Sequence, residues 1–285
     1  YASALQVHPY RYPIIGWMSD IEKTTLADVR AWYKQFYMPN NATLIVVGDV
    51  KPDAVFALAE QTFGKVPAGK LPQRIDWQEP PQKGKRWITV HAPAETTLLM
   101  RAYRLPVFNH QTDVKQELIL TLLAQVLDGN PSARLPRQLI DTGKASTARA
   151  SMNGFSRGIP FFIFYLSPAK DQPLSAVTDG LELALNKIVE SGISDAELNR
   201  AKTQFKASRI FSRDSLYAQA NILGDFEMIN IGWKAEEHIF ELMDSIQPKD
   251  LQMAVTRYFD ENQSTDAILV PKKIQAKEGD AHANQ

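Results

Sequence analysis

The chain has 285 residues, of which 44% are hydrophobic and 22% charged, as is typical of a globular protein with one large or two smaller domains. Its 32 Lys and Arg residues equal its 32 Asp and Glu residues, so the overall charge gives no reason to expect nucleic acid or an acidic membrane surface as a partner. The absence of cysteine excludes disulfides, thiol catalysis and cysteine-bound metals. No apolar run approaches the roughly 20 residues of a membrane-spanning helix.

The sequence begins with an irregular stretch and a first amphipathic helix. Residues 1–23 contain the turn-like segment His8–Tyr10, for which a structural turn is favoured over a metal-binding role. Thr25 and Asp28 have the spacing of a helix-capping pair. The apolar residues that follow recur every three or four positions, which predicts an amphipathic helix over 26–37.

A strand and a second helix complete this first unit. The unbroken apolar run within 42–48 predicts a buried strand. Pro52 then opens a helix that Gly64 ends. The segment 65–85 holds four prolines and two glycines among charged residues, which is typical of a linker. We therefore predict a first unit over 1–64.

Beyond the linker the pattern restarts and predicts a second unit over 86–273, followed by a polar tail over 274–285 that we expect to be disordered. The predicted strands are 87–92, 96–103, 145–151, 160–167 and the apolar stretch near 265–271. The predicted helices are 114–127, 133–140, 174–189, 194–212, 215–229, 236–243 and the segment that follows 247. Because the helices are grouped between strands rather than alternating with them, an α+β sandwich is favoured over a doubly wound sheet.

The last predicted helix and strand repeat the first ones. The sequence TLADVRAWYKQFYMPNNATLIVVGD at 25–49 aligns without a gap with QPKDLQMAVTRYFDENQSTDAILVP at 247–271. A constant offset of domain length indicates two homologous halves. The same offset places roughly 137 residues of the first half ahead of Tyr1. We therefore expect a truncated first half whose strand at 42–48 presents an open sheet edge prone to self-association.

Residue patterns for catalysis are sparse. The five histidines are not spaced for a helix-borne metal site, and neither H-x-x-E-H nor G-x-S-x-G occurs. His238 is interpreted as an exposed helix residue, and Gly129–Ser132 as a helix C-cap followed by the N-cap of the next helix. Arg134 would lie in the first turn of that next helix, where a cation opposes the helix dipole. Two interpretations of Arg134 stay open: a surface ion pair, or a fork that holds a carbonyl or carboxylate of a bound chain.

Several motifs resemble the pitrilysin/insulinase family of zinc metallopeptidases in its bacterial branch. They are the His-Pro-Tyr turn at 8–10, Thr-Leu-x-Asp-Val at 25–29, Tyr-x-Pro-Asn-Asn-Ala at 37–42, Val-Gly-Asp at 47–49 and LDGNPSARLPRQL at 127–139. The resemblance implies two homologous α/β sandwich halves, the processing-peptidase-like metallohydrolase fold. It also implies a zinc-dependent endopeptidase that hydrolyses peptides in a closed chamber.

The family's zinc site is an inverted H-x-x-E-H motif with a distal Glu, and both elements precede the His-Pro-Tyr turn. On this resemblance they would belong to the part of the first half ahead of Tyr1. No catalytic residue and no metal ligand is therefore assigned to this chain. Zinc would belong to the parent protein and not to this fragment, which we expect to be inactive alone.

The resemblance further implies a substrate-contacting Arg/Tyr pair in the second half. Arg134 occupies the Arg position, whereas Ser146 occupies the Tyr position. Loss of the Tyr favours a zinc-bearing parent that works with a homologous partner subunit or as a homodimer, with a peptide as substrate. The alternative is a non-catalytic binding or assembly subunit of the same fold. The family implies a periplasmic location, with the cytoplasm as the alternative.

Overall fold

The computed structural model describes residues 1–108, 110 and 113–272. Its helices are α1 (Met18–Ile21), α2 (Leu26–Phe36), α3 (Pro52–Thr62), α4 (Val114–Asp128), α5 (Leu174–Ser191), α6 (Asp195–Ser212), α7 (Leu216–Met228), α8 (Ala235–Asp244) and α9 (Pro248–Tyr258). Its strands are β1 (Arg86–Ala92), β2 (Leu98–Arg104), β3 (Ala145–Met152), β4 (Phe161–Pro168) and β5 (Ser264–Pro271). Every helix and strand predicted after residue 86 is confirmed to within a few residues at each end, although the short helix at 133–140 contains a π-helical turn over Pro136–Ile140.

The strands form one sheet in the order β1-β5-β2-β4-β3, in which β1 runs parallel to β5 and the other pairs are antiparallel. Helices α4 and α5 pack on one face of this sheet. The alternate residues of β2 and β4 that face them are fully or almost fully buried: Leu99, Tyr103, Phe162, Phe164 and Leu166. This mixed sheet with helices grouped on one face confirms the predicted α+β class.

The opposite face of the sheet is covered in part by the start of the chain. Ala4 and Leu5 pack against Phe161 and Ile163 of β4 in a separate small core. The carboxylate of Glu79 accepts hydrogen bonds from three successive backbone N–H groups, those of residues 6, 7 and 8, at 2.5–2.8 Å. Burial alone would raise the pKa of Glu79, but these donors hold that pKa below its ordinary value. The first residues are therefore fixed to β4 of the second unit and to Glu79 in the segment that precedes it.

The structure bears out the internal repeat at the level of backbone geometry. Helices α2 and α9 begin and end at equivalent positions of the alignment, and both carry a capping box. Short 3₁₀ turns follow at Pro39–Asn41 and Glu261–Gln263, again at equivalent positions. Their surroundings differ: Leu251 of α9 is 0% exposed, whereas Val29, its equivalent in α2, is 53% exposed.

The prediction of a buried strand over 42–48 was wrong. This segment forms no strand, and Leu44 and Val46 are 58% and 46% exposed. Its counterpart β5 is hydrogen-bonded between β1 and β2, but no strand of the described residues lies beside 42–48. An apolar run without neighbouring strands has no ladder to join, so the expected open sheet edge does not form either.

The predicted boundaries at 64, 85 and 273 stay predictions, and the tail at 274–285 lies outside the described residues. Within the described part of the chain, no helix combines the length and the apolar character needed to cross a lipid bilayer.

Three charged side chains are buried in the sheet and the helix packed on it: Arg101, Asp266 and Glu117. Arg101 of β2 is 1% exposed and forms a two-point ion pair with Asp266 of β5, at 2.8 and 2.9 Å. Glu117 of α4 is fully buried, and its Oε1 accepts a hydrogen bond from the backbone N–H of Phe155 at 2.8 Å. Its Oε2 has no hydrogen-bond partner among the described residues. Burial raises the pKa of Glu117 to about 7.

Candidate functional site

The turn that leads to Arg134 is held by the residue after the C-cap of α4. Gly129 is that C-cap, as predicted. The side chain of Asn130 then accepts the backbone N–H of Ser132 at 2.9 Å, and its carbonyl accepts the N–H of Ala133 at 2.9 Å. Ser132 was predicted to cap the next helix, but Asn130 performs the local bonding through its own side chain. Arg134 follows in the first helical residues, ahead of the π-helical turn.

Arg134 is engaged in a fork-to-fork ion pair within the chain. Its Nε and Nη2 lie 2.7 and 2.9 Å from the two carboxylate oxygens of Glu197 in α6, and Nη2 also donates to the carbonyl of Gly192 at 2.9 Å. The arginine side chain is 20% exposed and that of the glutamate 28%. Of the two interpretations of Arg134, the structure contains the ion pair. The remaining guanidinium nitrogen of Arg134, Nη1, donates to none of the described residues.

Glu197 has a second task at the start of α6. Ser194, the N-cap, donates to the same carboxylate from its backbone N–H at 2.9 Å and from its hydroxyl at 2.8 Å. The hydrogen bond from Arg134 and those from Ser194 lower the pKa of Glu197 to about 2. Arg134 thus joins the end of α5 to the capping box of α6. This structural role explains why a cation occurs in the first turn of its own helix.

Ser146 lies at a separate place on the sheet. It is exposed at the start of β3, inside a register irregularity between Ala145 and Thr147. Its hydroxyl donates to the carbonyl of Pro168 at 3.2 Å. The structure therefore brings Arg134 and Ser146 to no common hydrogen-bond partner, and their role in substrate binding stays a prediction.

A surface cavity of about 810 Å³ opens beside Arg134 and is lined by three elements. Arg137 comes from the π-helical turn and Arg134 from the helical residues just ahead of it, Lys187 comes from the end of α5, and Arg200 comes from α6. We call this site the basic cavity. Sequence reasoning missed it because its cations come from segments far apart in the sequence, and only the spacing of Arg134 and Arg137 gave a local signal.

The structure confirms the turn interpretation for His8 and the helix interpretation for His238. The ring of His8 accepts the backbone N–H of Tyr10 at 3.2 Å and stands edge-on to the Tyr10 ring, with 4.7 Å between centroids. His238 is an exposed residue of α8 whose ring lies 3.4 Å from Glu241.

A zinc ion requires ligands that converge on one point. In the described ranges, no group of three or more His, Asp or Glu side chains is placed to hold a metal ion. Tetrahedral zinc sites in proteins need at least three such ligands. The residues described do not fit zinc, and no chemical step through zinc is derived for them.

The chain is similar to known zinc proteases along most of its length. Zinc protease PqqE of Helicobacter pylori is 27% identical over 272 residues, which cover 94% of this chain and 60% of that relative. The probable zinc protease PqqL of Escherichia coli is 25% identical over 194 residues, which cover 66% of this chain and 20% of that relative. The chain thus spans less than two thirds of the length of either curated relative.

The chain is also similar in structure to solved peptidases. A protease from Helicobacter pylori has a TM-score of 0.85 and 27% identity, covering 94% of this chain and 64% of that one. The peptidase M16 inactive domain from Pseudomonas fluorescens has a TM-score of 0.80 at 20% identity, covering 96% and 64%, and so shows the shared fold. The family model described as the peptidase M16 inactive domain matches residues 23–205, well over half of the chain. The resemblance to the pitrilysin/insulinase peptidases is thereby confirmed, and the chain belongs to the peptidase M16 inactive-domain family.

Proposed function

We propose that this chain is the non-catalytic, substrate-facing portion of a zinc-dependent endopeptidase that encloses peptides between two homologous halves. The observation that carries the proposal is similarity over 94% of this chain to a zinc protease of which the chain covers only 60%. Zinc and its general base would then be supplied by another part of the same protein, a homologous partner subunit or a second copy. A solved structure describes PqqL as a periplasmic protease, which supports the periplasm rather than the cytoplasm as the location.

Arg134 is the residue of the family's substrate-contacting pair that this chain retains. Its Nη1 can donate to a peptide carbonyl while Nε and Nη2 stay on Glu197. The hydroxyl of Ser146 cannot reproduce the reach or the stacking surface of a tyrosine ring. Ser146 and the ion pair of Arg134 therefore favour, as second candidate, a binding or assembly subunit that contacts no scissile bond.

Hydrolysis measured with and without a zinc-bearing half tests the proposal. The purified chain is incubated with zinc and an unfolded, internally quenched peptide, and we expect no cleavage. Cleavage is expected once a homologous zinc-loaded half carrying H-x-x-E-H is added, with KM raised in the Arg134→Ala variant.

Cleavage by the chain alone that a chelator abolishes refutes the proposal. A mixed complex that forms, as seen by size-exclusion chromatography, but never cleaves supports the binding or assembly subunit instead. Lys249→Ala, an exposed cation on α9, is the matched control and should leave KM unchanged.

A further inference from the structure

The basic cavity concentrates positive charge in a chain whose overall charge is zero. Four cations from three elements line it, against the single carboxylate of Glu197. That carboxylate is already held by Arg134 and by the two donors of Ser194. It therefore does little to neutralise the remaining three cations.

The three remaining cations are Arg137, Lys187 and Arg200, and all three are exposed. In the described part of the chain, none of them forms an ion pair with a carboxylate. Lys187 donates to the side-chain amide of Gln138 at 3.1 Å, a neutral partner that holds the ammonium group beside the cavity. The N-terminal end of the 18-residue helix α6, with its positive dipole, also borders the cavity.

The shape and lining of the basic cavity select among anions. Its volume of about 810 Å³ is that of a pocket that takes several side chains, and Ala184, Ile193 and Ala196 give it an apolar part. Duplex nucleic acid instead requires an extended basic face, and the balanced charge of the chain provides no such surface. Guanidinium forks match the planar geometry of carboxylates in two-point contacts.

We infer that the basic cavity binds an acidic segment of a peptide, with Asp or Glu carboxylates on Arg137, Lys187 and Arg200. The inference rests on the proposed function and deepens it by naming the substrate class as peptides with clustered carboxylates. Arg134 contributes through Nη1 and through the ion pair that fixes the wall formed by α6.

Binding of short labelled peptides to the full chain, measured by fluorescence anisotropy, tests this inference separately from hydrolysis. The probes are a Glu–Gly peptide, a Gln–Gly peptide and a Lys–Gly peptide of equal length, with tripolyphosphate as competitor. We expect the Glu–Gly peptide to bind best and its affinity to fall as salt concentration rises. The triple variant Arg137→Gln, Lys187→Gln, Arg200→Gln should weaken it about tenfold.

The matched control removes the same charges elsewhere, at the exposed positions Arg30, Arg149 and Lys170, each changed to Gln. It should leave the affinity unchanged, and circular dichroism should show both triple variants folded. Equal affinity for the three peptides, or equal loss in the two triple variants, overturns the inference. Tripolyphosphate that displaces the Glu–Gly peptide at concentrations far below those of free Glu–Gly peptide overturns the assignment to peptides. Failure of the hydrolysis test with retained, charge-dependent peptide binding refutes only the proposed function.

Discussion

Replacement of Glu117 by Gln should remove a pH dependence of stability that this one buried carboxyl group creates. Its pKa is raised from the ordinary value of 4.5 to about 7, because the folded protein buries it with one unpartnered oxygen. Between these values the folded state holds a proton that the unfolded state has released. The stabilisation that comes from holding this proton is therefore fully present below pH 4.5 and is lost as pH rises through about 7. The free energy of unfolding changes by about 3 kcal/mol over this range.

Urea denaturation of the wild type and of Glu117→Gln across this pH range measures the effect as a difference. Other groups titrate in the same range, but they contribute equally to both proteins and cancel. The amide of the variant still accepts the N–H of Phe155, so the loop keeps its bond. Glu190→Gln, an exposed glutamate of α5, should keep the wild-type profile. If the free energy of unfolding of Glu117→Gln changes with pH just as that of the wild type does, burial does not raise the pKa of Glu117.

Two further predictions each compare a buried residue with an exposed one. Asp266→Ala should destabilise the protein by about 3 kcal/mol in urea denaturation, because it removes the two-point partner of the buried guanidinium of Arg101 and leaves only the contact of Nη1 with Glu182 at 3.1 Å. Glu261→Ala, which breaks an exposed ion pair near the same strand, should cost no more than about 1 kcal/mol, and equal costs would contradict the role of burial. Val255→Ala in α9 should cost about 2 kcal/mol. The same change at the exposed Val29 in α2 should stay within about 0.5 kcal/mol, and equal costs at the two valines would contradict the difference in burial.

The sequence predicted what depends on local pattern. The capping pair of Ser194 and Glu197 at the start of α6 and the aromatic run in β4 are local signals of this kind. The repeat of α2 in α9 was visible because caps, turns and periodicity are all local. The segment 42–48 has the same local pattern as β5, yet it forms no strand, since ladder hydrogen bonds depend on neighbours that a pattern cannot contain.

Contacts between side chains far apart in the sequence could not be predicted from local pattern. Arg134 stood out as a cation at a helix start, but its partner Glu197 lies 63 residues on and already had a role in a capping box. Glu117 occurs in a predicted apolar-faced helix, where an acid is ordinarily expected to face solvent. Its Oε1 accepts a hydrogen bond from Phe155, whose backbone is in a left-handed conformation with φ of 45° that the sequence does not signal.

The ion pair of Arg134 changes which residues are available for recognition. A substrate carboxylate that took both Nε and Nη2 would have to displace Glu197, whose pKa of about 2 reflects how strongly the folded state favours its ionised, bonded form. The displaced carboxylate would then stand beside the incoming one, with a repulsion that only the neighbouring cations could offset. Arg137, Lys187 and Arg200 require no such exchange, because none of them is paired with a carboxylate in the described residues. These three side chains are therefore the ones that bind an acidic peptide, while Arg134 stabilises the start of α6, the helix that carries Arg200.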